Sequence, residues 1–328
     1  MKGSAPSNRK ARRAAQKRGR GGPSQEDVNA LVGLYRAGRL DEAVEAAHRF
    51  TRRWPKTAVG WNVLAASHHA AGRPEEAAAA YRRAVKIEPG NADAQNNLGL
   101  ALAELGQPEE AAKAHRRALE HRPGFPEAHY NLGLALARLG RAEEAAASHE
   151  RALEARPRFA AAHSALGDLH RDGGRLDEAA AAYRRALELD PGAIALQVGL
   201  ADIQRRSGDP GAAEATLRTA LEHHPDDPIA HDHLGLALRD AGRFDDAEAA
   251  FRRALALWPA AAGIHRNLGN LLMDRGRLDE AERLHRRALE LEPASPQAHR
   301  DLGVTLAVLG RTGEAVEALR RERELRPN

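Results

Sequence analysis

Eight histidines recur in two registers: His129, His163, His231, His265 and His299 share one, and His115, His149 and His285 share the other. Their first candidate chemistry is metal ligation. If each copy of the register adds one layer of helices, neighbouring copies stand roughly 10 Å apart, whereas a zinc–nitrogen bond is about 2 Å. His231 and His233, two apart on a helix, diverge. The histidines therefore read as packing groups that stand where aromatics would otherwise be. The paired arginines Arg82-Arg83, Arg116-Arg117, Arg184-Arg185, Arg252-Arg253 and Arg286-Arg287 suggest a phosphate stripe, but most sit one turn before a Glu, as Arg116 sits before Glu120, and read as surface ion pairs. Acid pairs such as Glu109-Glu110 fall where a helix begins, which accounts for them. There is no cysteine and no G-x-x-x-x-G-K loop. No catalytic, metal or cofactor constellation remains, and no enzyme activity is expected.

The asparagines Asn29, Asn97, Asn131 and Asn267 offer a different chemistry. One carboxamide supplies both a donor and an acceptor, so it pairs with a peptide unit whatever that unit's side chain. A row of them either holds the backbone of an extended polypeptide or merely caps solvent.

These residues are placed by a 34-residue pattern that runs from Ser24 onward in nine copies without insertion: 24–57, 58–91, 92–125, 126–159, 160–193, 194–227, 228–261, 262–295 and 296–328. Every copy has Gly at position 15 (Gly38 to Gly310), Ala at position 20 (Ala43 to Ala315) and Pro at position 32 (Pro55 to Pro327). A fixed period of this length indicates stacked helical pairs. In 126–159, Leu132, Leu136 and Leu139 mark the apolar stripe of a first helix, and Gly140 ends it in a left-handed conformation. A second helix opens near Glu143 and Glu144, and Pro157 stops it. Asp227-Pro228 and Ser295-Pro296 announce helix starts. Small residues at positions 8, 20 and 27 let the helices approach closely. Where the internal copies have Ala-Leu or Ala-Val at positions 27 and 28, the first has Phe50-Thr51 and the last Glu322-Arg323, the charged pair being what a terminal copy tolerates.

The pattern LG…A…(F/Y)…A…P, seen in Leu132-Gly133, Ala145, Ala152 and Pro157, resembles the tetratricopeptide repeat over residues 24–328, with Tyr81, Tyr183 and Phe251 at its aromatic position. The resemblance implies an all-α, right-handed superhelical solenoid of nine helix-turn-helix repeats, whose first helices line a concave groove through repeat positions 2, 5, 6, 9, 12 and 13. Repeats two to four place Val59, Asn62, Val63, Ala66, Asn96, Asn97, Leu100, Tyr130, Asn131 and Leu134 there, an apolar stretch with amides. Repeats five to nine place Arg205, Arg206, Asp232, Arg239, Arg266, Asn267 and Asp301 there, a stretch of mixed charge. The Asn-Leu-Gly at Asn97, Asn131 and Asn267 is similar to the asparagine ladder in the repeat arm of O-linked N-acetylglucosamine transferases. It is interrupted here by Val63, Ala165, Gly199, His233 and Asp301. The family's clamp for C-terminal carboxylates, which needs Lys and Asn in three consecutive repeats, is not supplied; Arg266 with Asn270 is its nearest fragment.

Net charge is +4, yet residues 1–23 carry eight Lys/Arg and no acid, which leaves 42 basic against 46 acidic residues in the repeats. A Gly/Ser/Arg/Lys-rich segment without aromatics is expected to be a disordered basic tail. It serves as a solvated extension, as a weak contact for an anionic partner, or as a transit peptide. It lacks the aromatics that would stack on bases, so no specific nucleic acid is implied. No apolar run reaches the roughly 20 residues of a membrane span, and no signal segment is visible, so a cytoplasmic location is expected.

The expected function is a non-catalytic scaffold that holds an extended protein or peptide segment in its groove, through Asn29, Val63, Asn97, Leu100, Tyr130, Asn131 and Leu134, with charge matching from Arg205, Arg206, Arg239, Arg266 and Asn267. The alternative is the substrate-recognition arm of an O-glycosyltransferase or sulfotransferase system whose catalytic part lies outside this chain.

Overall fold

The computed structural model describes residues 22–326. These contain eighteen α-helices and no strand, in two compact units that divide between Ala165 and Leu166. All but the last two residues of the basic segment 1–23 lie outside the described residues.

The N-terminal unit holds α1 (Gln25–Arg36), α2 (Leu40–Arg53), α3 (Ala58–Ala70), α4 (Pro74–Ile87), α5 (Ala92–Glu104), α6 (Pro108–His121), α7 (Pro126–Arg138) and α8 (Ala142–Ala155). The division between the units falls inside α9 (Ala160–Asp172). The C-terminal unit continues with α10 (Leu176–Leu189), α11 (Ile194–Arg206), α12 (Pro210–His223), α13 (Pro228–Asp240), α14 (Phe244–Leu257), α15 (Ala262–Asp274), α16 (Leu278–Leu291), α17 (Pro296–Val308) and α18 (Thr312–Leu325). Within each unit, α9 aside, every first helix packs on its own second helix, and every second helix packs on the next first helix. Helices of 12–14 residues are marginal alone, so this alternating contact is what makes each of them stable.

The connections follow from the sequence. Position 15 has φ between 68° and 84° in all nine copies, a region only glycine enters at no steric cost. The next residue then reaches back to close the helix, as Arg73 N–H donates to the His68 carbonyl (2.9 Å) and Arg277 N–H to that of Leu272 (2.8 Å). Asp227 and Ser295 cap α13 and α17 by accepting from the backbone N–H of Ala230 and Ala298, with proline following at the first helical position.

The repeats are fastened together by a bond that apolar patterning does not reveal. The position-4 side chain donates to the carbonyl of the proline six residues before it, in every copy from the second on. Trp61 Nε1 reaches Pro55 (3.0 Å), Gln95 Nε2 reaches Pro89 (3.4 Å) and Gln197 Nε2 reaches Pro191 (3.1 Å). His129, His163, His231, His265 and His299 do the same through Nε2 at 2.7–3.0 Å. These histidines, expected to be packing groups, are half-buried hydrogen-bond donors. The position-24 histidines do pack. His115, His149 and His285 are almost fully buried, each ring lying where a Cβ on the facing glycine (Gly99, Gly133, Gly269) would come within 2.4–2.5 Å. Phe251 fills the same place over Gly235. Glycine at position 8 is thus matched to a ring at position 24 in five copies, and to Leu319 in the last. The first copy uses another match, with Phe50, where seven other copies place Ala, seated against Gly60.

Candidate functional site

The first helices of the N-terminal unit enclose a cavity of about 320 Å³. Tyr35 of α1, Asn62, Val63 and Ala66 of α3, Asn97 of α5 and Tyr81 of α4 line it, with Asp93 on its wall. Each reaches the cavity through helical periodicity: Asn62, Val63 and Ala66 occupy one side of α3, and Asn97 stands one repeat after Val63. Tyr81 is 2% exposed and hydrogen-bonds Asn97, and burial pushes its hydroxyl above the ordinary tyrosine value. Asn62 Oδ1 is buried without a hydrogen-bond partner. Asp93 is held by Arg122 in a two-bond pair (2.6 and 2.9 Å).

Of the residues expected to bind, the cavity brings together Val63 and Asn97. Asn29 is exposed, and its Oδ1 accepts from Gln25 Nε2 (2.9 Å). Leu100 is half-buried and Leu134 is 39% exposed. Tyr130 leans on the rings of His149 and Phe159, with centroids 5.5 and 5.1 Å away. Asn131 Nδ2 donates to Asn96 Oδ1 (3.1 Å), which also accepts from His115 Nδ1 (3.0 Å). That network places the proton of His115 on Nδ1. Asn131 keeps an Nδ2 hydrogen and its Oδ1 for another partner.

In the C-terminal unit the polar side chains of the first helices bond to one another. Asn267 Nδ2 donates to both oxygens of Asp232 (3.0 Å each), and Arg266 Nε donates to Asp301 (2.9 Å). Arg205 bridges Asp202 (3.1 Å) and Asp240 (2.8 Å). Arg206 and Arg239 stand 3.7 Å from Asp202 and Asp240. Mixed charge in this stretch thus forms lateral links from one first helix to the next.

Sequence reasoning did not single out Tyr35 or Tyr81 for the cavity. Tyr35 occupies repeat position 12, one of the groove positions, so the repeat register would have found it. Tyr81 was marked only as a packing aromatic. Its hydroxyl extends past the packed ring, which the register alone does not disclose. Among the described residues there is no cluster of histidines and carboxylates able to hold a metal ion, and no helix is long and apolar enough to cross a membrane.

No curated protein matches the chain significantly. Among solved structures, the APC/C hetero-tetramer Cut9-Hcn1 aligns with a TM-score of 0.58 at 19% identity, covering 88% of this chain and 57% of that one, so the chain spans little more than half of that relative. A tetratricopeptide repeat protein from Parabacteroides merdae aligns at 0.54 and 21% identity, covering 76% and 98%. YrrB, described as a TPR protein with an unusual peptide-binding site, aligns at 0.46 and 22%, covering 57% and 96%. The first two likenesses speak to the fold. The tetratricopeptide repeat family model itself matches residues 32–92, 96–157, 147–194, 198–262 and 266–328. With helix pairs of the same period along that whole stretch, the chain belongs to the tetratricopeptide repeat family.

Proposed function

We propose that the chain is a non-catalytic interaction scaffold whose first-helix face, the side that lines the groove in this family, holds an extended polypeptide segment. The observation that carries the reading is the cavity of about 320 Å³ in the N-terminal unit, walled by amides and tyrosines and containing an amide oxygen, Asn62 Oδ1, with no donor. A buried acceptor left without a partner costs about 1–3 kcal/mol, and a peptide N–H removes that cost on binding. Val63 and Ala66 give the cavity an apolar side for a ligand side chain, while Asn97 offers a carboxamide to the peptide unit beside it. Leu100, Tyr130, Asn131 and Leu134 continue the same register on α5 and α7, and Asn29 precedes it on α1.

In the C-terminal unit, Arg205, Arg206, Arg239 and Arg266 supply charge matching. A guanidinium has five N–H donors, and a bond to one or two aspartates leaves donors for carboxylates on the ligand. Asn267 contributes its Oδ1. The test begins with a peptide selected from a random displayed library against the full chain, its affinity measured by fluorescence anisotropy. Val63→Glu and the pair Asn62→Ala with Asn97→Ala should each weaken binding at least tenfold while the helical circular dichroism is retained. Equal affinity in folded variants would place the binding surface elsewhere.

A further inference from the structure

A second cavity of the N-terminal unit, about 550 Å³, lies away from the first-helix face, between the second helices α4 and α6 with α5 as its floor. Leu98 and Leu102 make the floor apolar, and the walls carry Arg82 and Lys86 on α4 and Lys113 and Arg117 on α6. Glu110 and Glu120 are its acids, and Glu110 is already bonded to Lys113 (2.7 Å). Arg82 and Arg117 act on Glu110 only through space, and neither they nor Lys86 form an ion pair among the described residues. Gln95, 4% exposed, also lines the cavity. Its Nε2 is used on Pro89, and its Oε1 is buried with no donor.

The repeat supplies an internal control. A cavity of about 370 Å³ occupies the same register between α16 and α18. There Arg286 bonds Glu282 (2.8 Å) and Glu314 (3.2 Å), Arg321 bonds Glu324 (2.9 Å), Glu317 stands in the register of Lys113, and His299 in that of Gln95. Six other copies have Glu in the register of Lys86, where Arg287 bonds Glu290 (2.7 Å) and Arg185 bonds Glu188 (2.8 Å). Only three lysines occur in the repeats, and two of them line this one cavity. The surplus of positive charge is a local departure from the repeat, not a product of it.

We infer that this outer cavity is a second binding site, for an acidic peptide segment bearing an apolar side chain. The carboxylates meet Arg82, Lys86 and Arg117, which lack acid partners of their own. The apolar side chain covers Leu98 and Leu102, and a peptide N–H satisfies Gln95 Oε1. A cavity of this size falls in the range that holds small ligands or a few residues of a peptide.

A fluorescein-labelled synthetic peptide of eight residues, Asp-Leu-Glu-Asp-Leu-Glu-Asp-Leu, titrated with the full chain by anisotropy in 150 mM salt, tests the assignment. Lys86→Glu with Lys113→Ala, both residues that other copies carry, should weaken binding tenfold or more. Gln95→His keeps the bond to Pro89 and removes the free oxygen, and should weaken binding at least threefold. Val63→Glu, on the first-helix face, should leave it unchanged, which separates this site from the one proposed above. Undiminished binding by the lysine variant would overturn the proposal, since it assigns the affinity to other bases such as those of residues 2–20. Full displacement of the peptide by millimolar inorganic phosphate would overturn it as well, because the cavity would then take simple anions.

Discussion

Position 21 of the repeat divides the molecule in two. In the N-terminal unit it is Val44, Ala78, Ala112 and Ala146, and in the fifth copy Ala180, all buried. In the sixth to eighth copies it is Glu214, Glu248 and Glu282, whose side chains are only 17%, 7% and 14% exposed, and in the ninth it is Val316. Each glutamate is gripped by an arginine four residues on and by another twenty-nine residues on. These are Arg218 and Arg243 for Glu214, Arg252 and Arg277 for Glu248, and Arg286 and Arg311 for Glu282, at 2.5–2.8 Å. The first-helix face shows the same contrast: an open cavity of amides and tyrosines in one unit, and bonded Asp–Arg and Asp–Asn links in the other. At position 21, one backbone plan makes apolar contact in the N-terminal unit and inter-repeat ion pairs in the sixth to eighth copies. A carboxylate gripped by two arginines leaves those charges less free for a ligand, and both candidate cavities lie in the half whose position-21 residues are apolar.

Acid should have the largest effect, acting on the buried rings. Burial holds His115 and His149 at about 4. Both are therefore neutral in the folded chain and take up protons on unfolding below pH 6.5. Their contribution is whole above that value and is lost as pH falls from 6.5 towards 4, about 3 kcal/mol for each. His149→Phe copies Phe251, the ring of the same register in the C-terminal unit, and should remove roughly half of this loss. Urea midpoints at pH 7 and pH 4.5 give the measurement. An equal acid shift in both proteins would mean the buried ring is not the sensitive group.

Exchanging the joints comes next. Ala78→Glu puts a carboxylate where the residue twenty-nine further on is Gln107, with no arginine to grip it from the next repeat, and should destabilise by about 3 kcal/mol. Ala112→Glu meets Arg116 and Arg141 at the two gripping positions, and should cost under about 1 kcal/mol. Thermal unfolding that ranks the two in the opposite order would break the comparison.

Smaller effects sharpen the packing. Gly133→Ala drives a methyl to 2.5 Å from the His149 ring and should cost about 2 kcal/mol. Gly199→Ala, 3.4 Å from Tyr183, should be neutral or gain up to about 1 kcal/mol from helix propensity. Least of all, Asn131→Ala should cost about 1 kcal/mol by leaving one acceptor position of Asn96 Oδ1 empty, whereas Asn29→Ala, the same repeat position in an exposed setting, should be silent. Chemical denaturation of the paired variants decides both.

The helices were legible because glycine and proline punctuate them. Gly140 had to take a positive φ to end α7, and Pro157 had to fall beyond α8. The site was legible only in part. Val63 and Asn97 were reachable by register, but the role of the position-4 side chains was not. Trp61, Gln95 and His129 share no hydropathy, only an N–H at similar reach, and that shared geometry appears once the proline carbonyl stands opposite. Arg116 was expected to pair with Glu120 on its own helix and instead faces Glu144 of the next repeat at 3.6 Å. A sequence lists charges at spacings along one helix, while the neighbouring helix supplies competing partners at no greater distance.

The sequence alone settled the period, the all-helical class, the turn glycines and the small residues opposite each ring, because backbone conformation and side-chain volume are local properties that repeat with the chain. Tertiary structure decided which polar groups are consumed. Whether Asn131 faces a ligand or Asn96, whether Arg205 is free or tied to Asp240, and why Gln95 keeps an oxygen without a donor depend on atoms one repeat away, since a hydrogen bond is fixed by distances of about 3 Å that no spacing in the chain encodes.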